Sequence, residues 1–455
     1  MTCTKCGSEN PEGATFCKNC GSMLAKICPQ CGSAQQDDAA FCINCGADLQ
    51  KAEMPKKKSF PQKTVIIAAA AVILCAAIVL GLGFGLGLFG GAESAIAHHG
   101  DEESEAVTAS ETVSQVAASA TPEVTPTPAP TVEVVLFDDA AVETVIRSAI
   151  GKPSGEVYPG DLKQITELNL DSKGVTSIDA VKYCTNLTVL HAEKNSITDV
   201  SPLQKLSNLK ELVLDENQIS DIRTFSGLIH LEKLWLGKNQ LSDIRVLSGL
   251  PNLTSLSLRY NSITDFSPLA PLVNLEFLSL YKSNISDISM LAGMTKMKEL
   301  YLTWCPVSDI EPLSDMIDLE TLYVSGCETL SDISPIKNLT ELKLLNLSIN
   351  KISDISPLRY CTKLEDLNLE QNRISDLTPL SHLTKLEVLD LSTNRISDVY
   401  PLCNCSKLKV LDLNTNEIDS VWPLYYCTRL EKLDLRKNLY IYDIYEVFFV
   451  DNLKY

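Results

Sequence analysis

From Ile165 to about residue 445, apolar residues recur in one frame of 22, LxxLxLxxNxISDISPLxxLxxL. In its LxL centre, successive side chains point to opposite sides of an extended chain, so the leucines face inward and the residues between them outward. One polar position marks each copy. Asn195, Asn217, Asn239 and Asn261 fill it at strict spacing, Ser283, Cys305 and Cys327 follow, and Asn350, Asn372, Asn394, Asn416 and Asn438 resume after a one-residue insertion. With Lys173 leading, the pattern predicts about 13 turns. Stacked turns make a parallel sheet and bury a continuous Leu/Ile core between neighbours. The recurring Asn is expected to satisfy backbone groups in the turn that follows it. The return segments are short and proline-marked, from Pro202 to Pro423, which predicts 3₁₀ turns rather than full α-helices. The aspartate column from Asp199 to Asp398 reads as capping of those turns rather than as a cation-binding ladder.

This frame closely resembles the leucine-rich repeats of bacterial internalin-type proteins, over residues 165 to about 445. The resemblance implies an α/β solenoid with a parallel β-sheet on its concave face and 3₁₀ or irregular structure on its convex side. It also implies a helical N-terminal cap at 133–164, where Phe137-Asp-Asp139, Val142-Glu-Thr-Val-Ile-Arg147 and Asp161-Leu162 stand. The solenoid is then expected over 165–455, with Tyr440–Phe449 forming an irregular, strand-like C-terminal cap. No LPxTG-type wall-sorting signal follows, a departure from many proteins of that family.

The first 50 residues carry different chemistry. Cys3-x2-Cys6 is followed after ten residues by Cys17-x2-Cys20, and Cys28-x2-Cys31 by Cys42-x2-Cys45 at the same interval. Each CxxC turn aims two thiolates at one point, and two such turns complete a closed tetrahedral site with no open position for substrate. About 25 residues cannot build a core alone, so the metal must supply the folding free energy. Residues 1–25 and 26–50 therefore read as two zinc ribbons, each with one structural zinc ion, and resemble short bacterial and archaeal ribbons. Redox-active or merely buried thiols are the plainer alternative.

A basic segment at 51–64, with Lys51, Lys56, Lys57, Lys58 and Lys63, leads into the uncharged apolar run 65–89. At 1.5 Å per residue that run would reach about 37 Å, enough to cross a ~30 Å hydrocarbon core as one transmembrane helix. Lysines precede it, whereas Glu93, Asp101, Glu102, Glu103 and Glu105 follow. The positive-inside rule then puts the ribbons in the cytoplasm and the repeats outside the plasma membrane. Gly81, Gly83, Gly85 and Gly87 superficially suggest a nucleotide-binding loop, but they lie inside the apolar run. Their small-xxx-small spacing is compatible with a homodimer through the transmembrane helix. Residues 90–132 are rich in Ser, Thr, Pro and Glu and read as a disordered stalk. At full stretch it would reach on the order of 140 Å.

Charge narrows the partners. From residue 133 onward there are 31 Lys+Arg against 45 Asp+Glu, a surface that repels phosphate backbones. Residues 1–50 hold three lysines and five acidic residues, so nucleic-acid binding by the ribbons is also disfavoured. The histidines form no recognisable nucleophile–base set, and an enzyme is not expected. Folding dictates the core positions, which leaves function to the outward strand positions. There, acidic residues fill the early turns (Glu167, Glu193, Glu211, Asp215) and the late ones (Asp366, Glu370, Asp390, Asp412, Asp434). The middle turns offer Trp235, Arg259, Tyr260, Phe277, Tyr281, Tyr301, Trp304 and Tyr323. These eight are the candidate ligand-binding patch for a protein or glycan, although aromatics also suit strand surfaces and pack on one another. An alternative role is a transmembrane signalling or scaffold protein whose cytoplasmic ribbons recruit a partner. Cys184, Cys361, Cys405 and Cys427 share a column elsewhere held by Leu or Met and read as small buried hydrophobes. Neighbouring turns lie too far apart for ready disulfides, so free thiols are expected.

Overall fold

The computed structural model describes residues 133–455, together with Glu9 and the strands Ala25–Ile27 and Ala34–Gln36. Those two strands pair antiparallel, Ala25 opposite Gln36 and Ile27 opposite Ala34, so a hairpin brackets the Cys28–Cys31 pair. The eight proposed zinc ligands, the basic segment, the apolar run 65–89 and the stalk lie outside the described residues. Among the described residues no helix is long and apolar enough to cross a membrane.

One turn shows how the repeat folds. Glu211–Val213 forms a three-residue strand, with Leu212 and Leu214 fully buried. Glu216 then takes a left-handed conformation, φ 59°, which reverses the chain and delivers Asn217 into the coil. Asn217 Nδ2 donates to the carbonyls of Ala192, Leu214 and Asp215, and its Oδ1 accepts from the Ile197 amide at 3.0 Å. Asp221 Oδ1 accepts the Arg223 amide, the first residue of the 3₁₀ segment Arg223–Gly227. Phe225, Leu228 and Leu231 return to the core.

Repetition of this unit gives one parallel sheet of 14 strands in chain order, from Glu167–Asn169 to Asn452–Lys454. Registers shift by 22 residues, except where Thr321 pairs with Leu344 across the insertion and at the last pair, where Lys432 stands opposite Asn452. Left-handed residues recur just before the marker position, and the insertion supplies two of them, Gly326 and Glu328.

The structure corrects three details of the sequence reading. The marker Asn ties its own turn to the preceding one, not to the next; Asn195, for instance, accepts from Val175 and donates to Leu170. The aspartates do not occupy the cap position itself, which is apolar (Val200, Ile222), but stand one residue earlier and bind the amide two residues on. Asp332 does the same for Ser334 and escaped the column because the insertion displaces it by one. Tyr440–Phe449 is not strand-like. It contains the 3₁₀ segment Ile444–Val447, and the strand comes later, at Asn452–Lys454. Asp443 explains this, because its carboxylate takes the Val421 and Trp422 amides and the Ser420 hydroxyl, folding the chain over the preceding turn.

At the other end the helix Ala140–Ala149 buries Val142 and Ile146, and the short helix Pro159–Leu162 buries Leu162. Asp139 caps the first helix through Ala141 and reaches the Thr176 amide at 2.8 Å, fastening the cap to the first turn. The seven cysteines of the repeats are free, and all but Cys403 are buried. Burial pushes the thiols of Cys184, Cys361, Cys405 and Cys427 up to about 12, which leaves them as packing groups rather than nucleophiles.

Candidate functional site

The eight patch residues divide by their place in the turn. Trp235, Tyr301 and Tyr323 are third residues of their strands, and Phe277 is the first residue of its own. The third-residue column between Trp235 and Tyr301 holds only Ser257 and Ser279, both buried. Phe277 fills the room left over those serines. The four rings thus form one row, with centroids 5.9 Å apart for Trp235–Phe277, 5.6 Å for Phe277–Tyr301 and 5.1 Å for the stacked pair Tyr301–Tyr323. Each ring is half-buried, so sheet packing and an available face coexist. Lys233 Nζ stands 4.1 Å from the Trp235 ring centre and 2.7 Å from Glu211 Oε1, which also lies 2.8 Å from His191 Nε2. Burial alone would raise the Glu211 carboxyl, but hydrogen bonds from Lys233 and His191 outweigh it and hold the carboxyl below its ordinary value.

The other four sit at the rim. Arg259 reaches back across two turns to Asp215 at 3.4 Å and to Glu216 at 3.7 Å. Burial raises the Asp215 carboxyl, against the pull of Arg259 and the Gly237 amide. Gly237 is needed there: a Cβ would fall 2.5 Å from the Arg259 side chain and 2.7 Å from the Asp215 carboxylate. Tyr260 and Tyr281 meet edge-on at 5.1 Å. Burial, then the neighbouring Tyr260 hydroxyl, pushes Tyr281 up to about 12. Tyr260 and Trp304 occupy the left-handed position rather than a strand. Trp304 covers Gly326, where a Cβ would meet its ring at 2.7 Å, and is the most exposed of the set at 43%. The eight stand together as one outward set in the sequence, but they are not equivalent in the structure. Arg259 is committed to an ion pair, and the continuous contact surface is the row of four rings.

Beyond Tyr323 the row opens into a groove of about 300 Å³, lined by Tyr323, Asn346, Asp366, Asn368, Asp390 and Asp412 together with five Leu and Val residues, among them Leu344, Val388 and Val410. Burial raises Asp366 and Asp390, with a further push from neighbouring carboxylates, and Glu370 responds in the same way. In the folded chain these groups therefore take up protons at higher pH than in the unfolded one. Their charge opposes folding above the folded pKa, and the penalty disappears as pH falls through it. Asp366→Asn with Asp390→Asn is expected to raise the thermal midpoint at pH 7 by roughly 1–3 °C. The gain should vanish once the pH is below the ordinary aspartate value of 3.8. A scan at pH 7 and pH 3.5 checks this, and a gain of equal size at both would refute it.

The double zinc ribbon family matches residues 3–46, and a family described as leucine-rich repeats in two copies matches residues 185–228, 229–271, 340–382 and 384–425. The four CxxC pairs suit zinc by donor chemistry, and the ribbon match supports zinc binding by this segment. Among curated proteins none matches. Of solved structures, an internalin (inlF) from Listeria monocytogenes is 34% identical at a TM-score of 0.67, covering 70% of this chain and 96% of that one. Internalin C2 from the same organism is 35% identical, with a TM-score of 0.45 and coverage of 46% and 95%. The functional domain of InlJ, also from Listeria monocytogenes and described as including a cysteine ladder, matches at 20% identity and a TM-score of 0.53. It covers 70% of this chain and 66% of its own. By its repeat frame, its parallel coil and its identity to a structure it spans almost completely, this chain belongs to the internalin family of leucine-rich-repeat proteins.

Proposed function

We propose that the chain is a single-pass membrane-anchored recognition protein, whose repeat domain binds a protein or glycan ligand outside the cell through the outward face of its sheet. The observation that carries this reading is the continuous row Trp235–Phe277–Tyr301–Tyr323, beside a groove that holds Asp366, Asp390 and Asp412. Aromatic rings held in place by neighbours offer large contact area at little cost in side-chain freedom. The apolar run 65–89 with lysines before it and acids after it supports an anchor with the ribbons, each holding one zinc ion, in the cytoplasm. A second reading rests on the ribbons: they would recruit a cytoplasmic partner, and the anchor would couple it to the sensing domain.

Protease treatment of intact cells should release a fragment containing residues 133–455. An envelope component bound by the full chain should lose about 100-fold in affinity on Trp235→Ala with Tyr301→Ala, as expected for two central aromatic anchors. Tyr360→Ala, exposed on a 3₁₀ segment, should leave binding unchanged. Release of the ribbons instead of the repeats would end the outside assignment, and full binding by the double variant would end the role of the row.

A further inference from the structure

Acids on the outward face of the sheet are treated in two ways. Several have a basic partner built in: Glu211 is held by Lys233 and His191, Asp215 by Arg259, and Asp434 by Arg436. Asp366 and Asp390 differ. Among the described residues neither forms an ion pair, and the charge acting on Asp366 is the like charge of Asp390. Asp390 takes the amide and hydroxyl of Ser392, two residues on, and Asp412 stands opposite it on the next strand, ~4.8 Å away. All three carboxylates are half-buried.

These carboxylates line the groove beyond Tyr323, and the rest of its lining says what they would meet. Leu344, Val388 and Val410 give it apolar surface, and Tyr323, stacked on Tyr301, joins it to the aromatic row. A calcium ion takes roughly six to eight oxygen ligands, and apolar surface supplies none. A long cationic side chain matches both halves of the lining. Its methylene stem packs on the Leu and Val side chains while its head meets the carboxylates. A guanidinium can also lie against an aromatic ring. A volume of about 300 Å³ is at the lower end of small-ligand sites, room for one side chain rather than for a folded segment. Repulsion between Asp366 and Asp390 opposes folding, so the coil does not need this pair for its stability. A cation arriving from outside relieves that repulsion, and partial burial strengthens the attraction.

We propose that the groove is a socket for one arginine or lysine side chain of a protein ligand, held between Asp366, Asp390 and Asp412 with its stem on Val388 and Val410. This rests on the recognition reading above and deepens it. It selects a protein over a glycan, and it anchors that protein where the aromatic row ends.

Ligand-observed NMR of N-acetyl-arginine amide with the full-length, zinc-loaded chain in detergent tests the socket. Saturation transfer to the arginine side chain is expected. N-acetyl-norleucine amide, which has a stem without the charge, should bind at least ~10-fold more weakly. Asp366→Asn with Asp390→Asn should weaken the arginine amide at least ~10-fold with the fold retained, since this change is expected to raise the thermal midpoint. Asp315→Asn with Asp318→Asn removes the same charge from exposed positions and should leave binding unchanged. No binding, equal binding of the two amides, full binding by the groove variant, or equal loss in both variants would each overturn the socket. Displacement by calcium chloride but not by sodium chloride of equal ionic strength would overturn it too, making the groove a metal site. Trp235→Ala lies outside the groove and should leave amide binding intact, so a failed socket and a failed aromatic row are read separately.

Discussion

Asn217→Ala is expected to cost the solenoid about 2–4 kcal/mol, measured by denaturant unfolding of the full chain. The side chain is 8% exposed and makes four hydrogen bonds. Alanine would leave the Ile197 amide without its acceptor in a water-poor interior, and would withdraw a donor shared by three carbonyls. An orphaned buried amide costs more than an average hydrogen bond gains, so the loss should exceed that of a surface change several-fold. Ser283 is the internal control. It holds the same position, is 3% exposed, and its hydroxyl has no partner among the described residues. Ser283→Ala should therefore be nearly neutral. Should the two variants unfold at the same denaturant concentration, the ladder of polar side chains would not be what ties turn to turn.

Removing zinc should have the larger effect, confined to the other end of the chain. A strong chelator is expected to abolish the hairpin Ala25–Ile27/Ala34–Gln36 while leaving the melting of the repeats in place. The reasoning is one of size: about 25 residues per ribbon bury too little to fold, and a structural tetrathiolate site supplies roughly 10–16 kcal/mol. Metal analysis should find about two zinc ions per chain, falling to about one in Cys6→Ser, because each closed site needs all four thiolates. Amide exchange of the hairpin residues reads the folding, and protection that persists in chelator would show that the metal is not its foundation.

The fold was legible in the sequence to the level of single turns, because a 22-residue frame leaves each position only one environment. Leucines at Leu212 and Leu214 had to face inward once Asn217 was placed, and they do. What periodicity cannot convey is direction along the stack. The frame is the same whether Asn195 bonds forward or backward, and only the left-handed residue before it, Lys194, sends it toward the preceding turn. Asp332 was hidden for a related reason: one inserted residue breaks the count without breaking the bond. The candidate site was legible as a composition of outward columns, not as a surface. That Ser257 and Ser279 make room for Phe277, joining Trp235 to Tyr301, depends on ring sizes across four strands. That Arg259 is held by Asp215, 44 residues away, depends on a missing Cβ at Gly237 between them.

The interruption at Ser283, Cys305 and Cys327 has a mechanical meaning. A coil in which each turn touches only its neighbours is no stronger than its weakest seam. Here the polar ties are fewest in the middle, where the Asn350 amide oxygen and the Ser283 hydroxyl lie without partners among the described residues and Cys305 has only thiol bonds, to the Leu280 and Thr303 carbonyls, in place of the asparagine's set. The aromatic row spans those same turns. Flexing of the solenoid would concentrate beneath the rings, letting the surface that meets a ligand adjust its curvature while both flanking spans stay stiff.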